Sequence, residues 1–282
     1  MRLRLALLAV VLSATVGTGC VATNRTAALA RRTGFGVTIE SEDRQLAEAL
    51  SRLLLDRSAD AFVRVAIRYG ELGISDKAMD YYSQALARHP GHIAALDGRA
   101  RIWRDWGFLP DALKDADRAI RLAPDSASAH NTRGTILQAM HRPADAAAEY
   151  GLAATLDPKA PHALNNRCYL AFTVGLADLA IRDCAEALRR DASFTPARHN
   201  LALIHAARGD TELASAYFGR SSNAIARYNM GIVFLARKDY SRAAAEFEAA
   251  ARTDPAFTDA HRRARQAAHL VKTETERSHA DR

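Results

Sequence analysis

AIRLAP, residues 119–124, ends in proline, and so do ALARHP (85–90), AATLDP (153–158) and AARTDP (250–255). Each run opens on alanine, passes through a turn of mixed polarity and stops at a residue that cannot continue a helix. Pro90, Pro124 and Pro158 stand 34 residues apart, so the chain carries an internal period. With proline as position 32, repeats start at Ala59, Ile93 and Ala127. Extending the period adds Pro161 and Thr195, the fourth repeat having Ala192 in place of proline. A sixth repeat begins at Ala224 and is five residues out of phase, which leaves the fifth only 29 long.

Positions that did not set this register test it. Position 8 is always small: Ala66, Ala100, Gly134, Cys168, Ala202, Gly231. Positions 20 and 27 hold alanine at eleven of twelve sites, Ser221 being the exception. Position 24 is Tyr82, Tyr150, Phe218 or Phe247, with Ala116 and Cys184 as departures. Two helices approach closely only where side chains are small. Small residues at 8 and 20 therefore predict helix A against helix B, and those at 27 predict helix B against the next helix A. Aromatic residues such as Phe62, Tyr69, Trp103 and Phe234 fill the remaining space. Gly73, Gly107, Gly175 and Gly209 at position 15 predict a left-handed stop to helix A. His141 and Lys238 replace that glycine in repeats three and six.

On these residues the chain resembles the tetratricopeptide repeat family over about 59–257, RYNMGIVFLARKDYSRAAAEFEAAARTDP (227–255) being the nearest copy. The resemblance implies an all-α, right-handed α-solenoid of about six helical hairpins. One hairpin cannot bury its own apolar face, so stability comes from stacked neighbours and the ends need covers. Residues 41–58, with apolar positions at 46, 50, 53 and 54, suit an N-terminal capping helix. Residues 258–282 supply a C-terminal capping helix and then a frayed tail KTETERSHADR, the apolar stripe over 257–271 holding Phe257, Ala260, Ala264, Ala267 and Val271. In the fifth repeat Gly219, Ser221 and Ser222 predict a truncated helix B and a change in superhelical direction.

The opening MRLRLALLAVVLSATVGTGC reads as a secretory signal over 1–19: two arginines, a short apolar run, then small residues up to Cys20. Cys20 resembles the lipidated first residue of bacterial lipoproteins, with Gly17 where that family prefers leucine. Val21 after it implies sorting to the outer membrane. Residues 20–40 read as a lipid-anchored flexible tether reaching roughly 25 Å. The formal charge of +7 does not mark a nucleic-acid binder, because 34 arginines and five lysines interleave with Asp and Glu along helices. That pattern fits solvated helix faces.

No enzyme signature is present: no HxxxH, HExxH, GxSxG, Walker loop or dinucleotide glycine pattern. The expectation is a non-enzymatic chain with no metal, cofactor or small-molecule substrate. Cys168 and Cys184, at positions 8 and 24 of one repeat, should lie near each other across the hairpin. Two readings stay open: a disulfide in an oxidising compartment, or two small buried thiols.

In the resembling family helix A lines a concave groove. Carried over, that groove holds Asp97, Arg101 and Arg104 in repeat two and Asn131, Thr135 and Gln138 in repeat three. Repeat four adds His162, Asn165, Tyr169 and Phe172, and repeat five adds His199 and Asn200. The set is amide-rich with an aromatic wall and an arginine flank, suited to an extended or helical peptide. Val63, Ile67, Ser128 and His162 stand where a chaperone-type carboxylate clamp needs Asn and Lys. The tract ARHNLALIHAARGDTELASAYFGRSSNAIARYNMG (197–231) is similar to TadD-type lipoproteins of the tight-adherence (Flp) pilus. That likeness implies a periplasm-facing scaffold for secretin or other pilus-assembly proteins. A pilotin of type IV pili, an outer-membrane assembly factor and an adaptor for peptidoglycan hydrolases are the alternatives.

Overall fold

The computed structural model describes residues 43–218 and 224–280. The expected leader (1–19), the Cys20 anchor, the tether (20–40), and Gly219, Ser221 and Ser222 with the expected change of direction lie outside the described residues. So do 281–282. Among the described residues there are fourteen helices, and none is long and apolar enough to cross a membrane.

The chain forms two compact units, dividing after Pro158. The first begins with α1 (Arg44–Leu55) and continues as three hairpins: α2 (Ala59–Glu71) with α3 (Ser75–Arg88), α4 (Ile93–Asp105) with α5 (Leu109–Leu122), and α6 (Ala127–Ala139) with α7 (Pro143–Leu156). The second holds α8 (His162–Thr173) with α9 (Ala177–Arg190), α10 (Thr195–Arg208) with α11 (Thr211–Phe218), α12 (Ala224–Ala236) with α13 (Tyr240–Thr253), and then α14 (Thr258–Ala280). The class is all-α, and the six hairpins have the tetratricopeptide form. α11 has eight residues where every other second helix has 14.

The proline period marks real helix ends. His89, Ala123, Asp157 and Asp254, each before a proline, leave the helical region with ψ of 90°, 81°, 88° and 95°. Proline disfavours the helical region for its predecessor, so these residues turn extended. Asp191, followed by Ala192, does the same with ψ of 101°. Stacking therefore sets this turn, and proline reinforces it.

The turn inside each hairpin is equally regular. In all six, the residue after the left-handed position donates its N–H to the carbonyl five residues back, from Ile74 to Tyr69 (2.9 Å) through Asp239 to Phe234 (3.0 Å). Gly73, Gly107, Gly175 and Gly209 take positive φ there, and so do His141 (φ 58°) and Lys238 (φ 63°). A Cβ disfavours that conformation. We expect His141→Gly and Lys238→Gly each to stabilise the protein by about 0.5–1 kcal/mol, the relieved strain exceeding the added unfolded-chain entropy. Urea unfolding checks it; unchanged midpoints would contradict the strained turns.

Small residues at position 8 have one job in several hairpins. A Cβ on Gly134 would lie 2.6 Å from the Tyr150 ring, and one on Gly231 would lie 2.6 Å from Phe247. Position 8 of helix A thus receives the ring at position 24 of helix B. Tyr150 is 1% exposed and Phe247 fully buried. In the fourth hairpin the same two positions are Cys168 and Cys184, and they form a disulfide with Cα atoms 5.5 Å apart. The bridge replaces a ring-on-glycine contact.

A second ladder was legible in the sequence but unread. Arg99, Arg133 and Arg167, 34 residues apart at position 7, each reach a carboxylate 16 residues on. Arg99 grips Asp115 through two bonds of 2.7 and 2.9 Å, and Arg167 grips Asp183 through two of 2.7 Å. Arg133 bonds Glu149 (2.6 Å) and also Asp117 of the preceding hairpin (2.8 Å). Asp115 and Asp183 are buried, so removing either arginine would strand a charge.

The ends differ from expectation in two places. Leu46 is buried and Leu50 and Leu53 pack beside it, but Leu54 is 76% exposed. At 100° per residue it stands about 80° round the helix from Leu46, off the packed stripe. At the other end α14 carries Ala260, Ala264 and Ala267 inward. It runs on to Ala280 through nearly all of the tail expected to fray. Thr273 and Thr275 hydroxyls bond carbonyls one turn back, and Lys272 pairs with Glu276, local i,i+4 contacts that hold a polar helix without a core.

Candidate functional site

In the first unit the helices A run side by side in the same direction. His92, which caps α4, bonds Asp60 in the first turn of α2 (2.8 Å). Ser128 of α6 donates to Asp97 of α4 (2.9 Å), and Arg104 of α4 donates to Thr135 of α6 (2.6 Å). These bonds place Asp97, Arg104, Ser128 and Thr135 on one face made by successive helices.

The chemistry of that face is mostly committed to its own neighbours. The Arg104 guanidinium also holds Asp105, and Thr135 donates onward to the Thr132 carbonyl. Gln138 accepts the Tyr150 hydroxyl at 2.8 Å, so its carbonyl oxygen serves the core. Burial pushes the Tyr150 phenol well above the usual tyrosine range, which keeps it a neutral donor. Asn131 is half-buried on the same helix.

Two groups differ. Arg101 extends with 53% of its side chain exposed, its guanidinium 3.6 Å from Asp97. Asp97 is 6% exposed, and its Oδ1 has no hydrogen-bond partner among the described residues. The Arg101 guanidinium is thus open to a ligand, whereas the unmatched Asp97 oxygen is shut away from solvent.

In the second unit Asn200 of α10 donates to Asn165 of α8 (2.9 Å), again joining helix A to helix A. His162 is exposed, with its ring 5.0 Å from Phe194. Tyr169 is half-buried. One expected groove residue turns inward. Phe172 is 9% exposed and belongs to the core, so no two-ring aromatic wall forms with Tyr169. His199 stacks on Phe218 with ring centroids 5.6 Å apart. Burial first, then the Arg198 charge, lowers its proton affinity. Helical spacing from an idealised repeat placed Phe172 on the groove, whereas its apolar bulk drew the ring into the hairpin. Among the described residues no group of three or more His, Cys, Asp or Glu could hold a metal ion.

No family model matches the chain. Solved structures with the same fold include the APC/C hetero-tetramer Cut9–Hcn1 (TM-score 0.68, 18% identity, 80% of this chain and 46% of that one). A tetratricopeptide repeat protein from Parabacteroides merdae gives a TM-score of 0.60 at 16% identity, over 79% of this chain and 90% of that one. PilW, a widely conserved type IV pilus biogenesis factor, gives 0.61 at 22% identity over 70% and 94%. In sequence, 60 residues are 35% identical to the Hsp70-Hsp90 organizing protein 3 of Arabidopsis thaliana, which is 21% of this chain and 11% of that protein. The chain thus spans about half the length of Cut9–Hcn1 and a small part of the plant protein. These likenesses establish the tetratricopeptide fold.

Proposed function

We propose that this chain is a non-enzymatic protein-binding scaffold that captures a peptide or protein segment on the face that helices A make within each unit. The observation that carries the reading is the side-by-side bonding of those helices, through Asp97–Ser128 and Arg104–Thr135 in one unit and Asn165–Asn200 in the other. Such rows present polar groups at regular spacing to an extended backbone or a helix. Arg101, whose guanidinium stands open to solvent, supplies a charged anchor for such a segment.

The finer reading adds a lipid at Cys20, outer-membrane sorting, a periplasm-facing body and partners among secretin or pilus-assembly proteins of a Tad/Flp-type machine. It rests on the leader and on the 197–231 tract. The name of PilW belongs to the same class of role, although at 22% identity that likeness is one of fold. A chaperone C-terminus fits less well, because Val63 is buried and Ser128 is bound to Asp97, leaving no lysine at those sites.

The test reverses charge at Arg101 and Arg104 together (each to Glu) and shortens Tyr169 to Ala. Capture of pilus or secretin components from detergent-solubilised envelopes should weaken at least about tenfold, as for an arginine anchor, with the helical content unchanged. Undiminished capture would contradict the face. Enrichment of murein hydrolases alone would contradict the pilus reading but leave the scaffold standing.

A further inference from the structure

The turn of the second hairpin, DWGFLP (105–110), carries an apolar feature that the scaffold does not use. Trp106 is 39% and Phe108 52% exposed. Both lean edge-on against Trp103, with ring centroids 5.8 and 5.4 Å away, so Trp103 props two large rings outward at the end of α4. Paired ring contacts of this kind hold the side chains in place without covering them.

The chain enters the fold at this same edge. Asp43, the first described residue, is held by the Arg68 guanidinium through Oδ1 (3.0 Å) and Oδ2, and Arg68 lies in the last turn of α2. Because α2 and α4 start side by side at Asp60 and His92, they also end together. The entry point and the aromatic turn are therefore neighbouring hairpin turns, on the order of 10–20 Å apart at ordinary helix spacing. Only 22 residues of chain separate Cys20, and whatever holds it, from Asp43. That short span keeps this edge close to the holder at millimolar effective concentration.

We propose that the hairpin-turn edge of the first unit lies on the phospholipid surface, with Trp106 and Phe108 entering the headgroup region. The proposal takes its anchor from the lipoprotein reading above. Tryptophan suits that depth because its ring is apolar and its N–H still finds water or a headgroup oxygen. The nearby arginines are spent within the protein, Arg104 on Asp105 and Arg68 on Asp43 and Glu71. Attachment is thus apolar, needs no anionic lipid and resists salt. Lying down on this edge would orient the first unit relative to the membrane instead of leaving it to swing on a tether.

The chain's two tryptophans are Trp103 and Trp106, so tryptophan emission, excited at a wavelength that the tyrosines do not absorb, reports this cluster alone. The full chain is coupled through Cys20 to a maleimide lipid in phosphatidylcholine vesicles, the bonded Cys168 and Cys184 leaving one thiol to react. This supplies the anchor whether or not the cell acylates Cys20, and acyl mass spectrometry of the native protein judges the lipoprotein reading separately. Emission should shift to the blue on either lipid relative to the lipid-free protein and fall at least about twofold with brominated acyl chains relative to plain ones, and 0.5 M salt, which screens charges beyond roughly 4 Å, should leave both unchanged. Trp103→Phe, which isolates Trp106, should quench at least as strongly, and adding Phe108→Ser should reduce quenching. Equal emission in brominated and plain vesicles overturns the proposal. So does protection from aqueous iodide without bromolipid quenching, which would mean that a second copy covers the edge.

Discussion

Replacing Tyr150 with alanine should lower stability by about 3–5 kcal/mol, the range for deleting a fully buried aromatic ring. The ring is 1% exposed, fills the space above Gly134, and bonds Gln138 at its far end. The informative partner is Gly134→Ala. By helix propensity alone that change gains about 1 kcal/mol. Here its new methyl would lie 2.6 Å from the ring, and overpacking costs about 1–3 kcal/mol. In the Tyr150→Ala background the obstruction is gone, so Gly134→Ala should reverse sign and stabilise. Urea denaturation of the four proteins measures the coupling. Additive effects would mean that the small residue at position 8 does not exist to admit the ring at position 24.

The second large effect is at the same place in the fourth hairpin. Cys168→Ala with Cys184→Ala should cost about 3 kcal/mol in the loop-entropy model, for a closed loop of about 17 residues. Steric disruption does not confound this test, because the second hairpin already carries Ala100 and Ala116 at these positions, both buried. Reduction with dithiothreitol should shift the wild-type midpoint by a similar amount and leave the double variant unmoved. Two free thiols at 168 and 184 in denatured, unreduced protein exported to an oxidising compartment would contradict the bridge.

How far the sequence could be read depends on how strongly each feature repeats. The hairpins were legible because alanine and proline recur at fixed spacing, and steric contact leaves little choice at those sites. His141 and Lys238 broke the glycine pattern without breaking the turn. Backbone hydrogen bonding imposed positive φ on residues that resist it, and composition does not display that force. The Arg99, Arg133 and Arg167 ladder had the same period as the prolines, so it was available to the eye. Charged residues read as solvated faces instead.

The candidate site was less legible. Groove positions taken from an ideal repeat located Asp97, Arg104, Thr135, Asn165 and Asn200 on helix faces that touch. They failed for Phe172, whose ring gains more by burial than by facing solvent. Nor did the pattern show that Gln138 is engaged by Tyr150, since that bond joins two hairpin positions with different roles. Periodicity locates a backbone well, but side-chain allegiance depends on neighbours that only the packed structure supplies.

The most direct test of the binding face is site-specific photo-crosslinking in living cells. A benzoylphenylalanine at Asn131, on helix A of the third hairpin, is compared with one at Leu152, which is 43% exposed on helix B of the same hairpin. The account predicts a discrete protein adduct from position 131 that disappears when Arg101 and Arg104 are reversed, and none from position 152. Adducts from position 152 alone would place the partner on the outer helices and contradict the face described above.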